Sequence, residues 1–444
     1  QIIPAPFPLR STCSFTTERL KEMMDIAPLE ILKELFDTAV RSADPMTLIP
    51  PLLGPKPAGR LLVIGAGKAS ARMAEAVESV WGACEGLVIT RYGYARPCRG
   101  IEIIEAGHPV PDETGVTATR RLLELLEGCG PEVHILALIS GGGSALLVCP
   151  AGEITLAEKQ QITNQLLASG VAIDKINIVR KHLSKVKGGQ LAAAAYPAHM
   201  RTLMISDVPG DNPAHIASGP TVGDNSTAAE ARAILDGIKA KIPPSIEAVL
   251  AGSSGVLAPG SEALSHTENR VIASPAQSLA AAMKRAQDYG AQVRILGDAI
   301  EGEARDIGEQ QAKLALDLQH KMKPGDAPLL LLSGGECTVT RRGDGVGGPN
   351  AEFLLSAFTT LAGAEGIYGL ACDTDGVDGA AEVAGAMIAP VAWQRAVARG
   401  LDVHAFLENN DSHSFFEKLE MQIITGPTLT NVNDFRAFLI YPVA

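Results

Sequence analysis

Aromatic residues are scarce: Phe, Trp and Tyr make up 4% of the 444 residues. Base-stacking platforms for single-stranded nucleic acid are therefore not expected. Net positive charge is missing too. The formal charge is -12, which excludes non-specific nucleic-acid binding through a basic face but leaves room for a small cationic pocket. No close CxxC pair occurs among the seven cysteines (Cys13, Cys84, Cys98, Cys129, Cys149, Cys337, Cys372). An odd, unpaired count suits reduced thiols in a cytosolic enzyme, not a disulfide framework or structural zinc. No apolar run approaches the roughly 20 residues of a membrane span. Residues 1–17 carry three prolines and no apolar h-region, so no secretory leader is expected and the cytoplasm is the expected compartment.

Glycine, in contrast, is abundant: its 45 residues are about a tenth of the chain, against the usual roughly 7%. The excess gathers where apolar runs end. Leu138-Ile139-Ser140-Gly141-Gly142-Gly143-Ser144 is echoed by Leu331-Leu332-Ser333-Gly334-Gly335-Glu336-Cys337. The runs at 135–139 and 329–332 read as parallel strands buried on both faces. Glycines at their carboxyl ends allow sharp turns that present bare N–H groups to an anion.

The length and the 46% hydrophobic content are enough for two domains with separate cores. Helical spacing over 23–40 predicts an opening helix, about 18–42, whose regular part begins at Pro28. Strand and helix patterns then alternate: strands at 60–64, 86–90, 133–139 and 201–205, helices at 71–81, 114–126, 156–168 and 182–195. That alternation predicts a doubly wound, Rossmann-like α/β sheet. Residues 225–269 are rich in Ala, Gly, Ser and Pro, which places the boundary near 240: an N-terminal domain 1–240 and a C-terminal α/β domain 241–444. Expected strands in the second lie at 270–273, 292–296, 329–332, 368–372, 382–388 and 435–439. Both halves run a Ser-Gly-Gly strand end followed later by an acidic turn, so a distant duplication stands beside the simpler view that α/β proteins share such strand ends.

Several motifs carry chemistry. Gly65-Ala66-Gly67-Lys68-Ala69-Ser70 occupies the place of a dinucleotide fingerprint, but Ser70 replaces the third glycine and the second strand ends in Thr90-Arg91 without an acidic residue. An anion pocket at a helix N-terminus, charged by Lys68, is one reading; a surface lysine beside a tight turn is the other. Ser140, Gly141, Gly142, Gly143 and Ser144 either cradle phosphoryl oxygens or form a structural turn. The Gly-x-Ser-x-Gly elbow of a serine hydrolase is absent. The basic cluster at 179–189 puts Arg180, Ser184 and Lys187 on one helical face, either solvated or facing an anionic substrate. Acidic turns follow two strands: Asp207 and Asp211 in one, Asp373, Asp375 and Asp378 in the other. Each aspartate could cap its own turn, while together they suit Mg²⁺ held by one or two carboxylates plus substrate phosphates. A calcium loop is not met, because its twelfth position is Ala384. The loop 343–352 is either a nucleotide cover or a hairpin tip.

Taken together, these motifs resemble a glycerate kinase of the bacterial and animal type that carries the MOFRL domain. The resemblance runs in order through Gly65-Ala66-Gly67-Lys68-Ala69, Gly107-His108-Pro109-Val110-Pro111-Asp112, Ser140 to Leu146, Val179-Arg180-Lys181-His182-Leu183-Ser184, Lys187-Gly188-Gly189, Ser206 to Asp211, Ala217-Ser218-Gly219-Pro220-Thr221, Ser333-Gly334-Gly335-Glu336 and Asp373 to Gly379. It implies phosphorylation of D-glycerate to 2-phosphoglycerate by ATP with Mg²⁺, in a cleft between two α/β domains, with the family's catalytic lysine at Lys68. Asp207 or Asp211 would act as base or hold the metal, with Asp373, Asp375 and Asp378 as further metal candidates. Gly67, residues 140–144, Arg180, Lys187, Ser333, Gly334, Gly335, Glu336 and Asn350 would bind substrate or phosphate. A small hydroxy acid is the expected partner, with no membrane and no nucleic acid; a homodimer is allowed. Family members read Gly-Gly-Arg-Asn-Gln-Glu where this chain has Gly347-Gly348-Pro349-Asn350-Ala351-Glu352. Arg305, Arg341, Arg342 or the cluster near 180 must then replace that arginine, or the substrate differs. Relatives in tartrate-utilisation contexts are also labelled hydroxypyruvate reductases, so an NAD(P)H-dependent reductase and a non-catalytic sugar-acid regulator remain the alternatives.

Overall fold

A computed structural model describes residues 17–379 and 381–443, with side chains from residue 27 onward. The expectations about residues 1–16, the missing leader and Cys13, lie outside the described residues. The remaining six cysteines are free. No helix among the described residues is long and apolar enough to cross a membrane.

The first unit is a six-stranded parallel sheet in the order β3-β2-β1-β4-β5-β6. Its strands are β1 (Leu61–Ala66), β2 (Glu85–Arg91), β3 (Ile101–Ala106), β4 (His134–Ser140), β5 (His199–Ile205) and β6 (Thr267–Ala273). Alternate residues of β1 face opposite layers. Leu62 and Ile64 pack with Leu122 and Leu126 of the helix Glu113–Leu126, while Leu61 and Val63 pack with Met73 and Val77 of the helix Ser70–Trp81. Both faces are covered, as the unbroken apolar strands require. A smaller helical cluster, built on Ile162, Ile176, Val179, Leu235 and Ile246, holds the helix Ile173–His182 against this unit.

The second unit contains β7 (Gln292–Gly297), β8 (Gly302–Glu303), β9 (Leu329–Ser333), β10 (Cys337–Thr338), β11 (Ile367–Asp373), β12 (Gly385–Ile388), β13 (Gln422–Ile423) and β14 (Asp434–Ile440). Six of them form a sheet ordered β13-β12-β11-β14-β9-β7. Only β7 and β9 pair in parallel; the other pairs are antiparallel. β8 and β10 make a separate two-stranded ribbon.

Five expectations need correction. The helix expected over 182–195 is broken: one helix ends at His182 and the next spans Gln190–Ala195, so Arg180, Ser184 and Lys187 share no helical face. The boundary near 240 cuts the first sheet, because β6 lies beyond it and pairs with β5. The opening helix belongs to the second unit: Leu32, Leu35 and Phe36 sit in one core with Leu331, Phe353 and Phe438. That helix runs Thr17–Ser42 with Pro28 inside it, so it does not begin at the proline. The two sheets differ in strand direction and order, which removes the support for duplication; an apolar run reports burial but not the direction of its neighbours. β3, an edge strand alternating with glutamates, also escapes the hydrophobic pattern.

Candidate functional site

The carboxyl ends of β1, β4 and β5 face the carboxyl end of β11 across a cleft of about 470 Å³. The turn after β1 is locked to the turn after β4. Gly67 takes φ 145°, and a Cβ there would lie 2.1 Å from Ser140 Oγ. Gly67 N donates to the Ile89 carbonyl (3.1 Å), Lys68 N to the Gly141 carbonyl (2.8 Å) and Ala69 N to Ser140 Oγ (3.0 Å). These amides are engaged, so they form no anion cradle. Only the Lys68 side chain carries positive charge into the cleft from this turn.

Lys68 Nζ pairs with Asp375 Oδ2 of the second unit, their side chains 14% and 1% exposed. Burial opposes the ammonium charge, but Asp375, Asp373 and Asp207 outweigh it and raise the Lys68 pKa. Tyr94 Oη donates to the Asp375 carbonyl at 3.3 Å. Just beyond β5, Asp207 accepts from Asn431 Nδ2 at 3.3 Å on Oδ2, and its carbonyl accepts from Asn433 Nδ2 at 3.1 Å. A Cβ at Gly141 would lie 2.0 Å from Asp207 Oδ2, so any side chain there displaces the carboxylate. Asp373, at the end of β11, accepts from Asp375 N at 2.9 Å. Burial raises the Asp207 pKa; burial and Asp375 push that of Asp373 well up.

Other expected residues separate into cleft lining and framework. Arg180 lines the cleft, and among the described residues no carboxylate pairs with it; burial lowers its pKa. Gly142 closes on His108, whose pKa is pushed down to about 3 by burial and by Lys68 and Arg91. Ser144 Oγ lies 2.9 Å from Ser218 Oγ, which donates to Asn177 Oδ1 at 3.0 Å. Gly143 gives close passage to Ala217. Ala217 and Ser218 hold left-handed φ values of 52° and 62°, a conformation costing roughly 1–2 kcal/mol per residue. Lys187 reaches the cleft wall, but its Nζ donates to the Leu147 carbonyl at 2.9 Å and burial drives its pKa well down. Ser140 braces the two turns.

Several candidates stand apart from the reacting space. Asp211 does not line the cleft, and its Oδ1 is buried without a hydrogen-bond partner. Ser333 Oγ meets Gln311 Oε1 at 3.1 Å. The Gly334 amide donates to the Gly297 carbonyl (2.8 Å), and the Gly335 carbonyl accepts from Arg436 (2.9 Å). Asp378 touches the cleft, but its two oxygens accept from Asn350 N and Ala351 N, each at 2.9 Å, holding the start of the helix Pro349–Leu361. Asn350 in turn donates to Asp434 at 2.7 Å. Glu336, by contrast, lines the cleft with its side chain exposed at the rim, where the surrounding walls and the nearby Asp434 and Asp207 raise its pKa to about 7. The loop 343–348 is no nucleotide cover: Gly343 N, Gly345 N and Val346 N are bound by the segment 409–411.

Among replacements for the family arginine, Arg305 is committed to Glu352 and Glu408, Arg342 to Glu408, and Arg341 to the Gly343 carbonyl. Of the cluster near 180, Arg180 and Lys187 both line the cleft, and Lys187 is held by the Leu147 carbonyl. Sequence reasoning missed His108, Arg91, Asn431, Asn433 and Asp434. The run Thr430-Asn431-Val432-Asn433-Asp434, polar and directly ahead of an apolar strand, is the signal that could have exposed three of them.

No three His, Cys, Asp or Glu side chains gather closely enough to hold a metal among the described residues. Asp207 and Asp373 nevertheless both line the cleft, each close enough to Lys68 to act on its charge. Two carboxylates completed by phosphate oxygens are a donor set that Mg²⁺ accepts. The residues thus fit a metal that arrives with a phosphate.

Comparison with known proteins agrees with this architecture. Residues 31–251 match a domain of unknown function, DUF4147, and residues 329–434 match the MOFRL family. An Agrobacterium vitis protein is 48% identical over 94% of this chain and 95% of its own, and carries the provisional name hydroxypyruvate reductase. The D-glycerate 2-kinase of Thermotoga maritima is 38% identical over 86% of this chain and 91% of its own. The human glycerate kinase is 33% identical over 96% and 95%. The crystal structure of the T. maritima glycerate kinase superposes with a TM-score of 0.81 at 35% identity, covering 93% of this chain and 99% of that one. With relatives this similar over nearly their whole length, and with the MOFRL match in its second unit, the chain belongs to the MOFRL-containing glycerate kinase family.

Proposed function

We propose that this protein transfers the γ-phosphoryl group of ATP to a hydroxyl of D-glycerate, giving 2-phosphoglycerate. The observation that carries the reading is the Lys68–Asp375 pair, which sets a buried cation among Asp207 and Asp373 at the meeting of the two units. Phosphoryl transfer needs little covalent help from a protein; positioning and charge neutralisation supply most of the catalysis. Lys68 neutralises the oxygens of the group in flight. Asp207, a stronger base for being buried, takes the proton of the attacking hydroxyl. Arg180, free of carboxylate partners, receives the carboxylate of the hydroxy acid. Mg²⁺ would be held by Asp373 together with the phosphates, and would supply charge neutralisation.

The reductase alternative requires a pyrophosphate bound at the turn after β1. The amides of Gly67, Lys68 and Ala69 already have acceptors there, which favours the kinase. Two parallel assays test the reading. Glycerate with ATP and Mg²⁺ should release ADP, whereas hydroxypyruvate with NADH should show no oxidation of the cofactor. Hydroxypyruvate-dependent NADH loss without ADP release would reverse the assignment.

A further inference from the structure

A second cavity, about 580 Å³, lies in the first unit beside the cleft. One helix separates the two. On the helix Ile173–His182, residues Ile173, Asn177 and Arg180 line the cleft, whereas Asp174, Ile178 and Lys181 line the second cavity. Each set follows the i, i+4, i+7 spacing of a single helical face. His215 borders both spaces, so they meet at its imidazole.

We propose that this second cavity holds the nucleoside of the phosphoryl donor, whose phosphates pass His215 to reach Lys68; the proposal rests on the kinase reading above. The cavity differs from the cleft in charge. Its cation, Lys181, is buried and paired with Asp224, and Asp174 adds a carboxylate at the rim. An anion gains nothing there, but an uncharged base and ribose do. Ile178, Val222, Pro259 and Leu264 offer apolar surface for the faces of a base. Polar groups edge that surface: Asn212, Asn225, Ser226 and Asn269. The Asn225 side chain is exposed and, among the described residues, has no hydrogen-bond partner. The volume falls within the roughly 300–1,000 Å³ of small-molecule sites, which combine apolar walls with a few polar groups. The cleft, by contrast, holds Lys68 and Arg91 for phosphates beside Arg180 for the acceptor carboxylate. Burial and Lys181 lower the His215 pKa, leaving a neutral ring between the two spaces.

The test is calorimetric titration of MgADP into the full chain, without acceptor, alongside steady-state kinetics. Val222→Trp fills the cavity and should weaken MgADP binding by about tenfold or more, a change of 1.4 kcal/mol per decade. The KM for glycerate should stay within about twofold. Asn225→Trp, at the exposed rim, serves if Val222→Trp does not fold, and should act in the same direction. Unchanged MgADP affinity in a folded variant overturns the proposal, as does a wild type that binds no MgADP. A raised glycerate KM with unchanged MgADP binding also overturns it and makes the cavity an acceptor site. If MgADP binding weakens while no assay shows glycerate-dependent ADP release, the nucleoside site stands and the kinase reading alone fails.

Discussion

Lys68 and Asp375 neutralise each other across the cleft, so neither can be changed in isolation. Lys68→Met should lower turnover by at least about a hundredfold, the scale of losing one charge-stabilising donor. It also leaves a buried carboxylate without its cation, which costs about 3–5 kcal/mol. Adding Asp375→Asn should recover most of the melting temperature and none of the activity. A Lys68→Met enzyme that keeps normal ADP release would remove this lysine from the chemistry. The neighbouring carboxyls make a separate prediction. Burial pushes Asp207, Asp373 and Asp434 up, and Asp378 to about 7. Between about pH 4 and 7 these carboxyls bind more protons in the folded chain than in the unfolded one, so their own contribution to stability falls as pH rises. Asp378→Asn removes one such contribution, and its melting temperature relative to the parent should rise with pH across that range. A difference between the two that does not change with pH contradicts the raised Asp378 pKa.

At the scale of elements, two turns do the positioning. Gly141→Ala would press a methyl group into Asp207. Overpacking of this kind costs about 1–3 kcal/mol, visible in urea unfolding, and the displaced carboxylate should lower kcat more than it raises KM. An unchanged kcat would show that the Asp207 position does not govern the rate. These turns were legible because an apolar run followed by glycines or aspartates is a local pattern: Lys68, Gly142, Asp207 and Asp373 all lie where such patterns end. What the pattern does not contain is the use already made of each group. Nothing near Lys68 in sequence shows that its amide is taken by Gly141, and nothing near Arg305 shows that Glu352 holds it. Asp378 reads as a metal ligand until the helix Pro349–Leu361 is seen to begin on its oxygens. The helix Ile173–His182 looks like an ordinary basic surface until its two faces are found to line two different spaces.

For the whole molecule, the same limit explains the misplaced boundary. Composition marks residues 225–269 as loop-rich, but β6 returns to the first sheet afterwards, and the opening helix packs on the far unit. The first unit, residues 43–273, is thus inserted into the second. A fragment 43–273 should unfold cooperatively, whereas 43–240 lacks an edge strand and should aggregate. Residues 274–443 should need the opening helix, supplied as a peptide, to cover Leu331 and Phe438. Circular dichroism and light scattering on the three fragments would decide; a stable, monomeric 43–240 would contradict this division.

The insertion also ties the halves twice, at residues 42–44 and 273–275. The two ties are not equivalent. A protease nick at 42–44 leaves the units joined through 273–275 at an effective concentration of about millimolar, but frees the opening helix to leave the second unit. A nick at 273–275 parts the chain into two pieces held only by the packing of that helix and of the cleft. Dilution should extinguish turnover after either cut, and added opening-helix peptide should restore it only after the cut at 42–44.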